Sequence, residues 1–192
     1  TELKSEYQYL AHKFGLQAMD ANQWRFLRLR PQNFPHIRIA QLAHLYYEQR
    51  AGLSQLLECE SVKQVRELLA TQVTCYWETH YVFGEESVKS EKKLSAASLN
   101  LQIINTVAPI LFAYGKHKNS EKYCERAFDF LETLKAEENH IVRMWKEVGL
   151  MVETAGDSQA LIQLKKEYCD RKDCLRCRIG YEYLKGSSSL KG

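Results

Sequence analysis

The stretch from Leu94 to Gly115 constrains this chain most. Leu94, Ala97, Leu101, Ile104, Ala108, Leu111 and Phe112 recur at steps of three and four, which lays them on one face of an α-helix. Pro109 falls inside the run. It lacks a backbone donor and its ring presses on the preceding turn, so the helix is expected to kink there.

The rest of the chain repeats this helical spacing. Leu3, Tyr7, Leu10, Ala11 and Phe14 form a first amphipathic helix that Gly15 is placed to end. Between Ile37 and Leu57 apolar residues surround most of the circumference, which predicts a central, largely buried helix interrupted at Gly52. Ser61 and Gln64 read as a capping box, and Asp157 or Ser158 as the cap of the last long helix. Helices are also expected around Tyr123–Leu134 and Ile141–Val148. Residues 73–83 are rich in aromatic and β-branched residues, which suits a strand, but no partner strand is visible, so they are read as helical or irregular. The expected fold is all-α: a single irregular multi-helix bundle over residues 1–185, with a Pro-kinked central helix, a cysteine-containing C-terminal turn, and a flexible tail at 186–192.

Composition excludes several classes. With three prolines and nine glycines in 192 residues, the chain is not linker-rich, and 45% hydrophobic residues can supply a sizeable core. A net charge of +3 does not by itself call for nucleic acid. No apolar run approaches the roughly 20 residues that span a bilayer, and no signal peptide opens the chain. A cytoplasmic setting follows, with thiols free or metal-bound. The chain has no initiator methionine and starts inside a helical pattern, so a longer protein is expected.

Two stretches carry chemistry. Residues 22–38 hold Arg25, Arg28, Arg30 and Arg38, interleaved with Trp24 and Phe34, and contain no acid. Pro31 and Pro35 keep part of this strip extended. Such a strip can grip phosphates through guanidinium forks and stack bases on aromatics; equally, the aromatics can anchor a long loop while the arginines cap helices or pair with acids. The second stretch is Cys169, Cys174 and Cys177, spaced C-x4-C-x2-C. Three thiolates suit zinc or an iron–sulfur cluster if a fourth ligand comes from elsewhere, with Cys75 and Cys124 as candidates beside Cys59, His80 and His140. The plain alternative is three small hydrophobes packed in a turn. The spacing departs from the C-x6-C-x2-C-x5-C loop of helical DNA-repair glycosylases, so that activity is not transferred. No phosphate loop, nucleophile elbow or paired-histidine metal motif is present.

Several segments together resemble a bacterial family, domain of unknown function 2851. They are Arg30-Pro31-Gln32-Asn33-Phe34-Pro35 with Arg38 to Ala43, Pro109 to Gly115, Asp157 to Leu161, and Tyr168 to Gly180. The resemblance implies a longer protein whose non-helical N-terminal half, absent here, is similar to a restriction-nuclease-like core. No activity is established for the family, so it transfers no catalytic residue. The expected function is an accessory binding domain that contacts DNA or RNA through the arginine strip, with the missing N-terminal half as a further partner. The alternatives are a structural or protein-interaction module with packed free cysteines, and a metal- or cluster-containing part of a nuclease-like enzyme.

Overall fold

The computed structural model describes residues 2–48 and 52–188. In chain order it contains α1 (Glu2–Phe14), α2 (Pro35–Tyr47), α3 (Leu53–Glu58), α4 (Val62–Leu69) and α5 (Cys75–Glu78). A hairpin of β1 (His80–Val82) and β2 (Glu85–Glu86) follows. Then come α6 (Ala96–Gln102), α7 (Ala108–Lys118), α8 (Glu121–Thr133), α9 (His140–Glu147), α10 (Ala155–Gln163) and α11 (Arg178–Ser188). The fold is therefore irregular and largely helical, as the periodicity predicts. Of the expected tail, residues 186–188 complete α11, and the remainder lies outside the described residues. The described residues form two compact units, one from 2–48 and 71–93, the other from 52–70 and 94–188.

In the first unit α1 ends as its sequence predicts. Gly15 turns left-handed (φ +60°), with the Leu16 amide donating to the Ala11 carbonyl at 2.9 Å and the Gly15 amide to His12. Arg30 and Phe34, each before a proline, are extended with ψ of 143°, and α2 starts at Pro35. Only one face of α2 is buried, through Ile37, Gln41 and Leu45 at four-residue steps. Ile39, Leu42, Tyr46 and Tyr47 are exposed, which corrects the expectation of a largely buried helix. The apolar residues outnumber what one face can bury.

Residues 73–83 are part helix and part strand. After the single turn of α5, β1 pairs antiparallel with β2 in the register His80↔Glu86 and Val82↔Glu85, across a bulge. The partner strand is two glutamates one tight turn away, with no β-forming signature of its own. Gly84 (φ +78°) makes that turn.

Polar groups tie this unit together. The buried Gln41 amide donates to the Lys92 carbonyl at 2.8 Å, and the Thr71 hydroxyl to the Gln41 carbonyl at 3.3 Å. The Lys92 ammonium, itself out of water, donates to the Trp77 and Glu78 carbonyls at 2.5 and 2.8 Å and lies 4.1 Å from the Tyr81 ring centre. It thereby occupies the carbonyl end of α5, where positive charge is favoured. Burial nevertheless pushes its pKa below the ordinary lysine value.

The second unit has an apolar, mostly aliphatic core of Val65, Ile103, Ile104, Val107, Leu111, Ala127, Phe130 and Leu134. Ser61 and Gln64 form the expected capping box of α4. The last long helix is capped by Thr154, one turn ahead of the expected residues, with Asp157 as its reciprocal partner. Two backbone amides, of Thr154 and Glu153, donate to the Asp157 carboxylate and hold its pKa below the usual range. Directly before Pro109, one π-helical turn, Ile103–Val107, joins α6 to α7. Proline cannot donate to the carbonyl four residues back and its ring crowds that carbonyl, and the wider turn absorbs both effects. Residues 96–118 thus run as one helix of 23 residues, long and apolar enough by composition to cross a membrane, although a third of its most apolar window (33%) is buried inside the protein. The buried residues Ile103, Ile104, Val107 and Leu111 belong to the unit's core. Gly115 admits the start of α8, since a Cβ there would sit 2.9 Å from the Ser120 carbonyl and 2.7 Å from Cys124 Sγ. The Arg126 guanidinium, also buried, donates to the Leu57 and Cys59 carbonyls at the end of α3 at 2.7 and 3.1 Å.

Candidate functional site

The cysteine segment is not a metal centre. Among the described residues no three His, Cys, Asp or Glu side chains come close enough to hold an ion, which overturns the expected zinc or iron–sulfur site at Cys169, Cys174 and Cys177. Cys169 and Cys174 are exposed while Cys177 is buried, and all six cysteines are free thiols. The physical reason lies in the backbone between them. A π-helical turn, Leu164–Cys169, extends α10, and Lys172 then adopts a left-handed conformation (φ 55°) that reverses the chain. Gly180 packs onto Cys174, where a Cβ would lie 2.6 Å from the Cys174 carbonyl. The segment is a packed turn. Four of its six basic residues are engaged by acids: Arg171 with Glu167 at 2.7 Å, Arg178 with Glu182 at 2.9 Å, Arg176 with Asp173 at 3.5 Å, and Lys165 with Asp170. They neutralise carboxylates, so they do not serve the thiols. The proposed fourth ligands have other surroundings. Cys75 is exposed at the start of α5, and the Cys124 thiol faces the Phe112 carbonyl at 3.7 Å.

The arginine strip is built differently. Arg38 is half-buried and donates to Gln41 Oε1 at 2.9 Å and Asn33 Oδ1 at 2.6 Å, and burial lowers its pKa. It clamps the start of α2 to the preceding 3-10 turn. Arg25, Arg28 and Arg30 are exposed and have no hydrogen-bond or ion-pair partner among the described residues. Between Asp20 and Glu48 the sequence contains no acidic residue that could neutralise them. Arg28 sits at φ 64° in a turn closed by the Leu29 amide on the Phe26 carbonyl at 3.2 Å. A left-handed backbone is unfavourable for a side-chain-bearing residue. The turn lies between Arg25 and Arg30, and all three cationic side chains are exposed.

A set of rings anchors the loop from beneath. Phe26, between Arg25 and Arg28, meets Phe34 edge-on and the His36 ring, each at 5.2 Å. His36 in turn stacks with Trp77 at 6.1 Å and meets Phe83 edge-on at 5.4 Å. Its Nδ1 is buried without a hydrogen-bond partner among the described residues, so ring contacts hold the imidazole in place. Sequence reasoning found Phe34 but missed Phe26, His36, Trp77 and Phe83 as one cluster. They are far apart in the chain, and only the richness of residues 73–83 in aromatics hinted at it.

Comparison with known proteins gives one match. The family model described as "Protein of unknown function (DUF2851)" matches residues 1–140, a span that holds the arginine loop and ends before Asp157 and the cysteine turn. No curated protein and no solved structure matches the chain.

Proposed function

The chain belongs to the DUF2851 family, and from that premise we propose that it is a binding module that holds the phosphates of nucleic acid on Arg25, Arg28 and Arg30. The observation that carries this reading is the combination of exposure, missing partners and an acid-free flanking sequence (residues 21–47) at these three residues. Guanidinium groups offer forked donors that match phosphate oxygens, and unpaired ones need not first break an ion pair. The contrast with Arg171, Arg176 and Arg178, each held by a carboxylate, supports the choice of loop. We also propose, as the family resemblance implies, that an N-terminal half of a longer protein is a second partner.

The test is oligonucleotide affinity against salt concentration. Each phosphate contact contributes about 0.7 to the slope of log K against log salt for single strands, so Arg25→Ala, Arg28→Ala and Arg30→Ala together should lower the slope by about 2. Binding that is absent, or that ignores salt, would remove the reading.

A second reading rests on α2. Its outward residues Ile39, Leu42, Tyr46 and Tyr47 are exposed, the last at 86%, and they suit a protein-interaction module. It predicts that Leu42→Lys alters sedimentation behaviour while oligonucleotide affinity stays the same. Unchanged sedimentation would argue against it.

A further inference from the structure

We propose, resting on the phosphate-binding reading, that the same surface takes single-stranded nucleic acid, with Phe83 and Tyr76 as the platform on which unpaired bases stack. Phe83 is 70% exposed, unusual for a phenylalanine engaged with three other rings. It stands at the tip of the hairpin, where Gly84 turns the chain and the Gly84 amide donates to the Tyr76 hydroxyl at 3.0 Å. That bond ties the turn to Tyr76, whose ring stacks on His80 at 3.9 Å and 11°. Trp77 supports Phe83 from behind at 4.9 Å. The two exposed rings are thus held in place by ring contacts and by the Gly84–Tyr76 bond, and such pre-ordering lowers the cost of stacking a base.

Connectivity joins this platform to the arginines. Phe26 lies between Arg25 and Arg28, its ring touches His36, and His36 touches Phe83. Phosphates on the loop and bases on the hairpin tip are therefore two ring contacts apart. Glu85 and Glu86, exposed beside Phe83, repel phosphates, which leaves the ring surface to the bases and the backbone to the arginine side. A duplex keeps its base faces stacked on one another, whereas a single strand presents them.

The experiment compares a fluorescent thymine oligonucleotide with a duplex of equal length on the full chain. The proposal expects Phe83→Ala to weaken single-strand binding roughly 5- to 140-fold, the range of one lost base stack, and to leave duplex binding within about twofold. Phe83→Leu, which keeps apolar bulk and secures folding, should show the same selective loss, and Phe83→Trp should restore affinity. If the wild type binds neither ligand in a salt-dependent way, the phosphate-binding reading fails and this inference with it. If the triple arginine variant loses its salt slope while Phe83→Ala changes both ligands equally, or neither, the platform is wrong and the arginine reading stands.

Discussion

The second unit is closed by aliphatic side chains on helices, with Val65, Ile103, Leu111, Leu134 and Val142 all out of water. The first unit buries few such residues; beside Ile37, Leu45 and Val73, its interior holds Gln41, Thr71, His80 and Lys92. Aliphatic burial is non-directional and stabilises through area, while a buried polar group must meet its partner at a defined distance and angle. The first unit is therefore fixed by a few exact bonds and by ring contacts. That arrangement can order a segment with as little regular structure as residues 15–34 while its charges still face outward. A region held by helix packing alone has less room for such a loop.

The largest expected effect lies in the aliphatic unit. Leu111→Ala removes a fully buried side chain and should cost about 2–5 kcal/mol in chemical denaturation; a loss below about 1 would show that this core is loosely packed. Next is Gly115→Ala. Helix propensity alone favours alanine by about 1 kcal/mol, yet the new methyl would overlap backbone atoms of Ser120 and Cys124. A net destabilisation of about 1–3 kcal/mol is expected, read as a lower Tm.

In the polar unit, Lys92→Met leaves the Trp77 carbonyl without its donor and the Glu78 carbonyl with the Ser90 amide alone, and should cost about 1–3 kcal/mol. The effect carries a pH signature. Burial holds the folded pKa below the ordinary 10.5, so between the two values the unfolded chain binds more protons. Stability contributed by Lys92 therefore rises with pH across that alkaline window, and the gap between wild type and Lys92→Met should widen there. A gap that narrows would mean the ammonium is better stabilised folded than unfolded. The smallest expected effect on stability comes from replacing Arg25, Arg28 and Arg30 with alanine, within about 0.5 kcal/mol, although this change is expected to have the largest effect on binding.

The sequence carried the two units unequally. The α6–α7 run, the α4 capping box and the Gly15 stop were readable because each is local: a period, a fixed offset, a residue suited to φ above zero. The buried face of α2 was not, since Ile39, Leu42 and Tyr46 repeat as regularly as Ile37 and Leu45, and tertiary contacts choose between them. Lys92 gave no signal because lysines are ordinarily solvated and its acceptors are main-chain carbonyls, which have no sequence mark. The cysteines misled because C-x2-C spacing permits a shared ion without requiring one, and the left-handed Lys172 and the tight Gly180 contact send the chain elsewhere. The arginines were visible as a strip, but spacing could not separate Arg38, spent on Gln41 and Asn33, from the three that remain exposed.

One measurement tests the division of labour between the units most directly: backbone hydrogen exchange of the full chain with and without a saturating thymine oligonucleotide. The prediction is slowed exchange at residues 24–30 and 81–86 and no change across 96–163. Slowing confined to 96–163, or none anywhere with the oligonucleotide bound, would contradict the assignment of binding to the arginine loop and its rings.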